Sequence, residues 1–210
     1  MDFFSHGLWT FAALNVLGRK TEKKINAAFA VFWGLFPDLL AFVVPFLWLF
    51  WNFIAGRIPF DSLPRPDKIE PISPDILPAS ELVSVLYSLG HSLVVFLLAV
   101  FILGVLILLN RRFNFICGFK QLPVVLGAWL LHILMDIPTH AYGFYSTPAF
   151  WPLSNWKYDG LYWGTPWFLA LNYILIITAY QHIFGLEKIK VYINWARWKN
   201  ILAKAKLDLD

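Results

Sequence analysis

The chain has 210 residues, of which 59% are hydrophobic, 19% aromatic and only 14% charged, with a net charge of +4. That balance excludes an ordinary soluble domain and predicts an all-α integral membrane bundle of about five transmembrane or half-spanning helices. Cys117 is the only cysteine, so an intramolecular disulfide and a thiolate metal cluster are both excluded, and any metal must be held by nitrogen and oxygen.

The opening MDFFSHGLW has an acidic second residue and no basic stretch, so its apolar run is expected to be retained rather than cleaved as a signal peptide. The first apolar segment, Phe3 to Gly18, carries His6. A short loop with Arg19, Lys20, Lys23 and Lys24 follows. The second segment, Ala27 to Ala55, contains Pro37, where a kink is expected beside Asp38. The loop from Gly56 to Ser80 is proline-rich and acidic on balance. The third segment, Leu82 to Leu109, carries His91 and Ser92 and ends near Arg111, Arg112 and Lys120. The fourth, Leu122 to Ile137, holds His132 and Asp136, and Pro138 then ends or kinks the helix so that Thr139 and His140 turn back over it. A nearly uncharged loop, Pro138 to Gly160, leads to the last segment, Leu161 to Phe184.

The basic loops are expected on the cytoplasmic side by the positive-inside rule, which puts the C-terminus in the cytoplasm of a multi-pass plasma (inner) membrane protein. Residues 1–185 form the expected membrane bundle, and 186–210 a basic amphipathic tail at the lipid interface. The positive charge serves topology and anionic lipid headgroups, not nucleic acid.

Histidine and carboxylate are costly in such segments, normally face a bundle interior, and together form a usual ligand set for a divalent metal. Counted from the basic ends at about 1.5 Å per residue, His6 and Asp38 lie roughly 18 Å up, His132 and Asp136 roughly 15 and 21 Å, and His91 about 27 Å. They therefore share the outer half of the membrane. His132 and Asp136, four apart, stand on one helix face, one turn above the other. Bland readings stand beside the site reading: an interfacial histidine for His6, a helix cap for Asp38, a bond to a helix carbonyl for His91, and an outer, orienting role for His140. His182, near the other end of the last segment, is set apart as structural, and the Trp, Phe and Tyr residues are taken as facing lipid.

In order and spacing, His6, Pro37-Asp38, His91-Ser92, His132 with Asp136, Thr139-His140 and Trp151-Pro152 resemble the membrane-bound metal-dependent hydrolases of prokaryotes, the YdjM-like family. The resemblance implies an inner-membrane bundle with a divalent-metal site, a hydrolytic role and, more distantly, kinship to zinc-dependent phospholipase C. Two departures stand out. Leu40 takes the place of the second aspartate of a Pro-Asp-x-Asp element, and Leu86 and Tyr87 replace a His-Arg pair, with Gly90 in place of a threonine. The losses count against a two-metal centre and a ready phosphate anchor, and leave open a mononuclear site or a metal-binding relative without activity. The expected chemistry is a hydrolase in which His91, His132 and Asp136, with His6, hold zinc or a similar ion, and Asp38 or His140 acts as general base or orients a ligand. Its expected partners are membrane lipids, with a lipid or lipid-linked ester or phosphoester as substrate, and the loop aromatics Tyr142, Tyr145, Trp151 and Trp156 could cover the mouth. A metal or proton transporter using the same cluster, and a non-catalytic scaffold, are the rival classes.

Overall fold

In the computed structural model, residues 1–20, 26–59, 80–113, 121–142 and 146–185 are described. The tail from residue 186, most of the acidic loop, Cys117 and Tyr145 lie outside them. The described residues form six helices and no strand: α1 (Phe3–Lys20), α2 (Ala27–Ile54), α3 (Ser80–His91), α4 (Leu93–Phe113), α5 (Leu122–Thr139) and α6 (Pro166–Phe184).

Three helices form the centre, and their register is simple. Leu14 of α1, Ala30 of α2 and Ala128 of α5 pack as a buried apolar layer. Four residues back along α1 and four forward along α2 and α5 lie Thr10, Gly34 and His132. A Cβ on Gly34 would meet Thr10 Oγ1 at 2.5 Å, and the Gly34 carbonyl accepts a hydrogen bond from His132 Nδ1 at 2.7 Å. Four residues further come His6, Asp38 and Asp136. Hence α1 runs antiparallel to α2 and α5, and each layer lies about 6 Å above the last. Small residues allow this approach, because helices in lipid associate by close packing and polar contacts rather than by the hydrophobic effect.

The remaining helices dress this centre. Gly90 brings α3 against α2, where an added Cβ would sit 3.3 Å from Pro37 Cβ. Parallel to α1, α6 is joined to it by Tyr180 Oη donating to the Leu8 carbonyl at 3.0 Å and Tyr173 Oη to Asp2 Oδ1 at 2.9 Å. Asp2 also caps α1, accepting the Ser5 backbone N–H at 3.0 Å. Large side chains such as Phe46, Leu47, Phe50, Trp51, Ile54, Phe101 and Ile174 are exposed, the outward face expected of a protein solvated by lipid.

By length and apolarity α2, α5 and α6 can each cross a membrane, and α3 with α4 makes a fourth span if the pair counts as one. The sequence suggested one straight third segment, whereas the chain breaks at Ser92 and bends by 65°. Ser92 Oγ accepts the N–H groups of Val94 and Val95 at 3.1 and 3.3 Å, an N-cap that starts α4 afresh. Leu93 N–H is taken by the Ala149 carbonyl at 2.9 Å. The expected interruption at Pro37 is milder, since α2 continues through both Pro37 and Pro45 to Ile54. The last segment starts at Pro166 rather than Leu161. Before it, the N–H groups of Gly160, Leu161 and Trp163 satisfy the carbonyls of His140, Pro138 and Thr139 at 2.8–3.2 Å, the groups that a helix end leaves open.

Candidate metal centre

The six residues marked in the sequence converge at one end of the bundle. His6, His91, His132 and Asp136 have no exposed surface, His140 is buried, and the Asp38 side chain is 13% exposed. One donor atom from each of Asp38, His91, His132 and Asp136 falls within 4.8 Å of the others. His91 Nε2 lies 3.0 Å from His132 Nε2, 3.4 Å from Asp38 Oδ1 and 3.2 Å from Asp136 Oδ2. His132 Nε2 is 3.7 Å from Asp38 Oδ1 and 3.3 Å from Asp136 Oδ2. With metal–ligand bonds of about 2.0–2.2 Å, the edges of a tetrahedral site run to roughly 3.3–3.6 Å. The five spacings bracket that value, so the group can hold a metal ion.

The tautomers reinforce the fit. His91 Nδ1 bonds the Tyr87 carbonyl at 2.8 Å, and His132 Nδ1 bonds the Gly34 carbonyl at 2.7 Å. A carbonyl only accepts, so each Nδ1 carries a hydrogen and each ring turns its Nε2 inward. Two imidazole Nε2 atoms and two carboxylate oxygens then face one another, and a neutral ring offers a metal ion the lone pair of its Nε2. Donation from the far nitrogen of a ligating histidine to a carbonyl is the usual support of a metal site. Gly34 follows Trp33, whose carbonyl, four residues before Pro37, loses its helical N–H partner to the proline.

His6 and His140 occupy the other side of Asp136. His6 Nε2 is 2.8 Å and His140 Nε2 3.3 Å from Oδ1, which the Met1 amino nitrogen also reaches at 2.5 Å. The His6 ring stacks on His132 with centroids 3.8 Å apart. Asp38 thus stands among the four grouped donors, and His6 beside them. His182 lies at the far end of α6, away from the cluster. The straight-helix height of His91, about 27 Å, is overturned by the bend, because two arms 65° apart cannot both follow the membrane normal and His91 touches His132.

Several neighbours add to the site beyond the residues marked in the sequence. Tyr87, taken there as lipid-facing, is buried, stacks on His91 at 3.9 Å and brings its hydroxyl within 3.4 Å of His140 Nδ1. Asn172 donates to Ser5 Oγ at 2.6 Å and accepts from Trp9 Nε1 at 2.9 Å, level with His6. Ser5 in turn bonds Asp2. A signal existed: Asp2, His6 and Thr10 repeat every four residues on one face of α1. Over this end, the loop covers the α3–α4 break with Ser146, Thr147 and Ala149, all buried, while Tyr142 and Trp156 point outward.

Compared with known proteins, the chain matches the family described as YdjM inner membrane protein over residues 1–203. No curated protein and no solved structure matches it.

Proposed function

Since the chain belongs to the YdjM inner membrane protein family, we propose that this membrane protein is a zinc-dependent hydrolase acting on a lipid or lipid-linked phosphoester. The observation that carries the metal part is the pair of Nδ1-to-carbonyl bonds from His91 and His132, which aim both Nε2 atoms at two carboxylates. Two imidazoles and the Asp136 carboxylate make the three-ligand set of a catalytic zinc, which leaves the fourth position, beside Asp38, to a water. When bound, such an ion supplies an acidified water and a Lewis acid for the scissile oxygen.

Around it, the chain's own residues divide the work. His91, His132 and Asp136 are fully buried, and the two imidazoles are fixed from behind, so these three hold and orient. Asp38 has the longest spacings of the set and the only measurable exposure among the four, so it is the group placed to take a proton from an entering water.

A lipid substrate is supported by what adjoins the cluster. A crevice of about 480 Å³ between α1, α5 and α6 is lined by Trp9, Met135, Leu161, Phe168, Leu171 and Leu175, within the range of ligand sites. Met1 and Thr139 also line it, and Met1 touches Asp136, so an acyl chain in the crevice brings its polar end to the donors. The helix ends carrying Arg19, Lys20, Arg111 and Arg112 lie at the opposite end of the bundle, so the positive-inside rule orients the cluster outward, with the chain crossing several times and its C-terminus in the cytoplasm.

Metal analysis of the purified protein beside the His132→Ala, Asp136→Ala double variant, with phosphoester hydrolysis in mixed micelles, tests the proposal. The expected result is bound zinc and chelator-sensitive hydrolysis in the wild type and neither in the variant. Equal metal in both overturns it, as does zinc or proton flux in liposomes without hydrolysis.

A further inference from the structure

We infer that the centre takes a second metal ion, held by His6 and His140, with Asp136 as the bridge between the two positions. The two oxygens of Asp136 are turned to different partners. Oδ2 faces His91 Nε2 at 3.2 Å and His132 Nε2 at 3.3 Å, whereas Oδ1 faces His6 Nε2 at 2.8 Å and His140 Nε2 at 3.3 Å. One carboxylate that offers each oxygen to its own pair of imidazoles has the arrangement of a bridging ligand in two-metal hydrolytic sites.

His6 provides independent support. It has no exposed surface, and among the described residues its Nδ1 meets no hydrogen-bond partner and its Nε2 meets Asp136. A buried imidazole nitrogen is rarely left without a partner. The Nε2 points at Asp136 Oδ1, and because the His6 ring stacks on His132 with only 21° between the planes, two side-by-side imidazoles address the two oxygens of one carboxylate. His140 is set by the backbone: it ends α5 in an extended conformation, and its carbonyl accepts the Gly160 N–H at 2.9 Å. The Met1 amino nitrogen, 2.5 Å from the same oxygen, must give way when the ion enters.

Leu40 removes the objection raised by the missing second aspartate. It stands roughly 200° around the helix from Asp38 and is 36% exposed, so a carboxylate there faces away from the donors. The second position draws instead on α1 and the end of α5.

The inference rests on the first metal position proposed above, and metal counting separates the two. Full-length protein in detergent, loaded with Mn²⁺ or Zn²⁺ and freed of excess, is expected to hold about two ions per chain, and the Mn²⁺ form to show the electron-spin resonance of a coupled pair. His140→Ala and His6→Ala are each expected to keep about one ion, with the spectrum of isolated Mn²⁺. If His6→Ala fails to fold, His140→Ala, at a helix end, carries the comparison. A single ion in the wild type overturns the second position and leaves the first standing, and no bound ion overturns both. Two ions retained in His140→Ala also overturn it.

Discussion

The same three helices make two unlike layers. Around Leu14, Ala30 and Ala128, α1, α2 and α5 meet through small and aliphatic groups, with Phe11, Trp33 and Val124 packed against them. Two turns away, the same register delivers His6, Asp38 and Asp136 to the same axis. In the apolar layer the helices can be drawn together only by dispersion and lipid exclusion, which need a close fit and little else. In the polar layer the fit is no less close, but its imidazoles and carboxylates are satisfied only through shared protons or a bound cation. The apolar layer therefore fixes the register and the polar layer uses it, and the two respond to different perturbations.

The sharpest way to separate them is to remove Asp136, which faces all four histidines of the cluster. Asp136→Ala is expected to abolish metal binding and to cost about 3–5 kcal/mol, the loss typical of stripping one partner from a buried charged set. Thermal unfolding in detergent, with and without added Zn²⁺, checks this: the metal-dependent rise in melting temperature seen in the wild type should vanish. A rise that survives places the ion elsewhere.

A smaller effect is expected from the apolar layer. Ala128 is fully buried between Leu14 and Ala30, so Ala128→Leu overpacks the contact and should cost about 1–3 kcal/mol. Metal content per folded chain should stay at the wild-type level, and the loss should be the same in chelator as in zinc. If metal affinity falls in step with stability, the layers are mechanically one unit and the contrast between them fails.

The contrast also explains what could be read from the sequence. His6, Asp38, His132 and Asp136 were legible because height along a helix is simple counting, and charge buried in an apolar run is conspicuous. Their register was present as a four-residue repeat: Leu14, Thr10, His6 on α1; Ala30, Gly34, Asp38 on α2; Ala128, His132, Asp136 on α5. His91 was legible as a residue but not as a position, since its placement depends on a break that Ser92 makes only with the help of the Ala149 carbonyl, 57 residues away. The supports of the ligands are the backbone carbonyls of Tyr87 and Gly34, and a carbonyl has no sequence signature. Tyr87 was misread for a related reason: an aromatic side chain that packs on an imidazole looks, in one dimension, like one that faces lipid.

Ser92 gives the smallest and most discriminating effect, because it lies in the polar half yet does the work of backbone. Its hydroxyl accepts the N–H groups of Val94 and Val95 and donates to the Trp151 carbonyl at 2.5 Å, while the adjacent His91 enters the cluster. Ser92→Ala should cost about 1 kcal/mol through the lost cap, equally with and without chelator, and weaken zinc binding by about 10-fold as the support of His91 loosens. Ser92→Gly separates the two bonds, since glycine at an N-cap costs only about a few tenths of a kcal/mol but cannot reach Trp151. With Leu93 N–H still held by Ala149, Ser92→Gly should regain most of the stability and most of the zinc affinity. If it regains stability alone, the hydroxyl bond to Trp151 is what holds His91 in place; if it regains neither, the bend is maintained by the loop rather than by the cap.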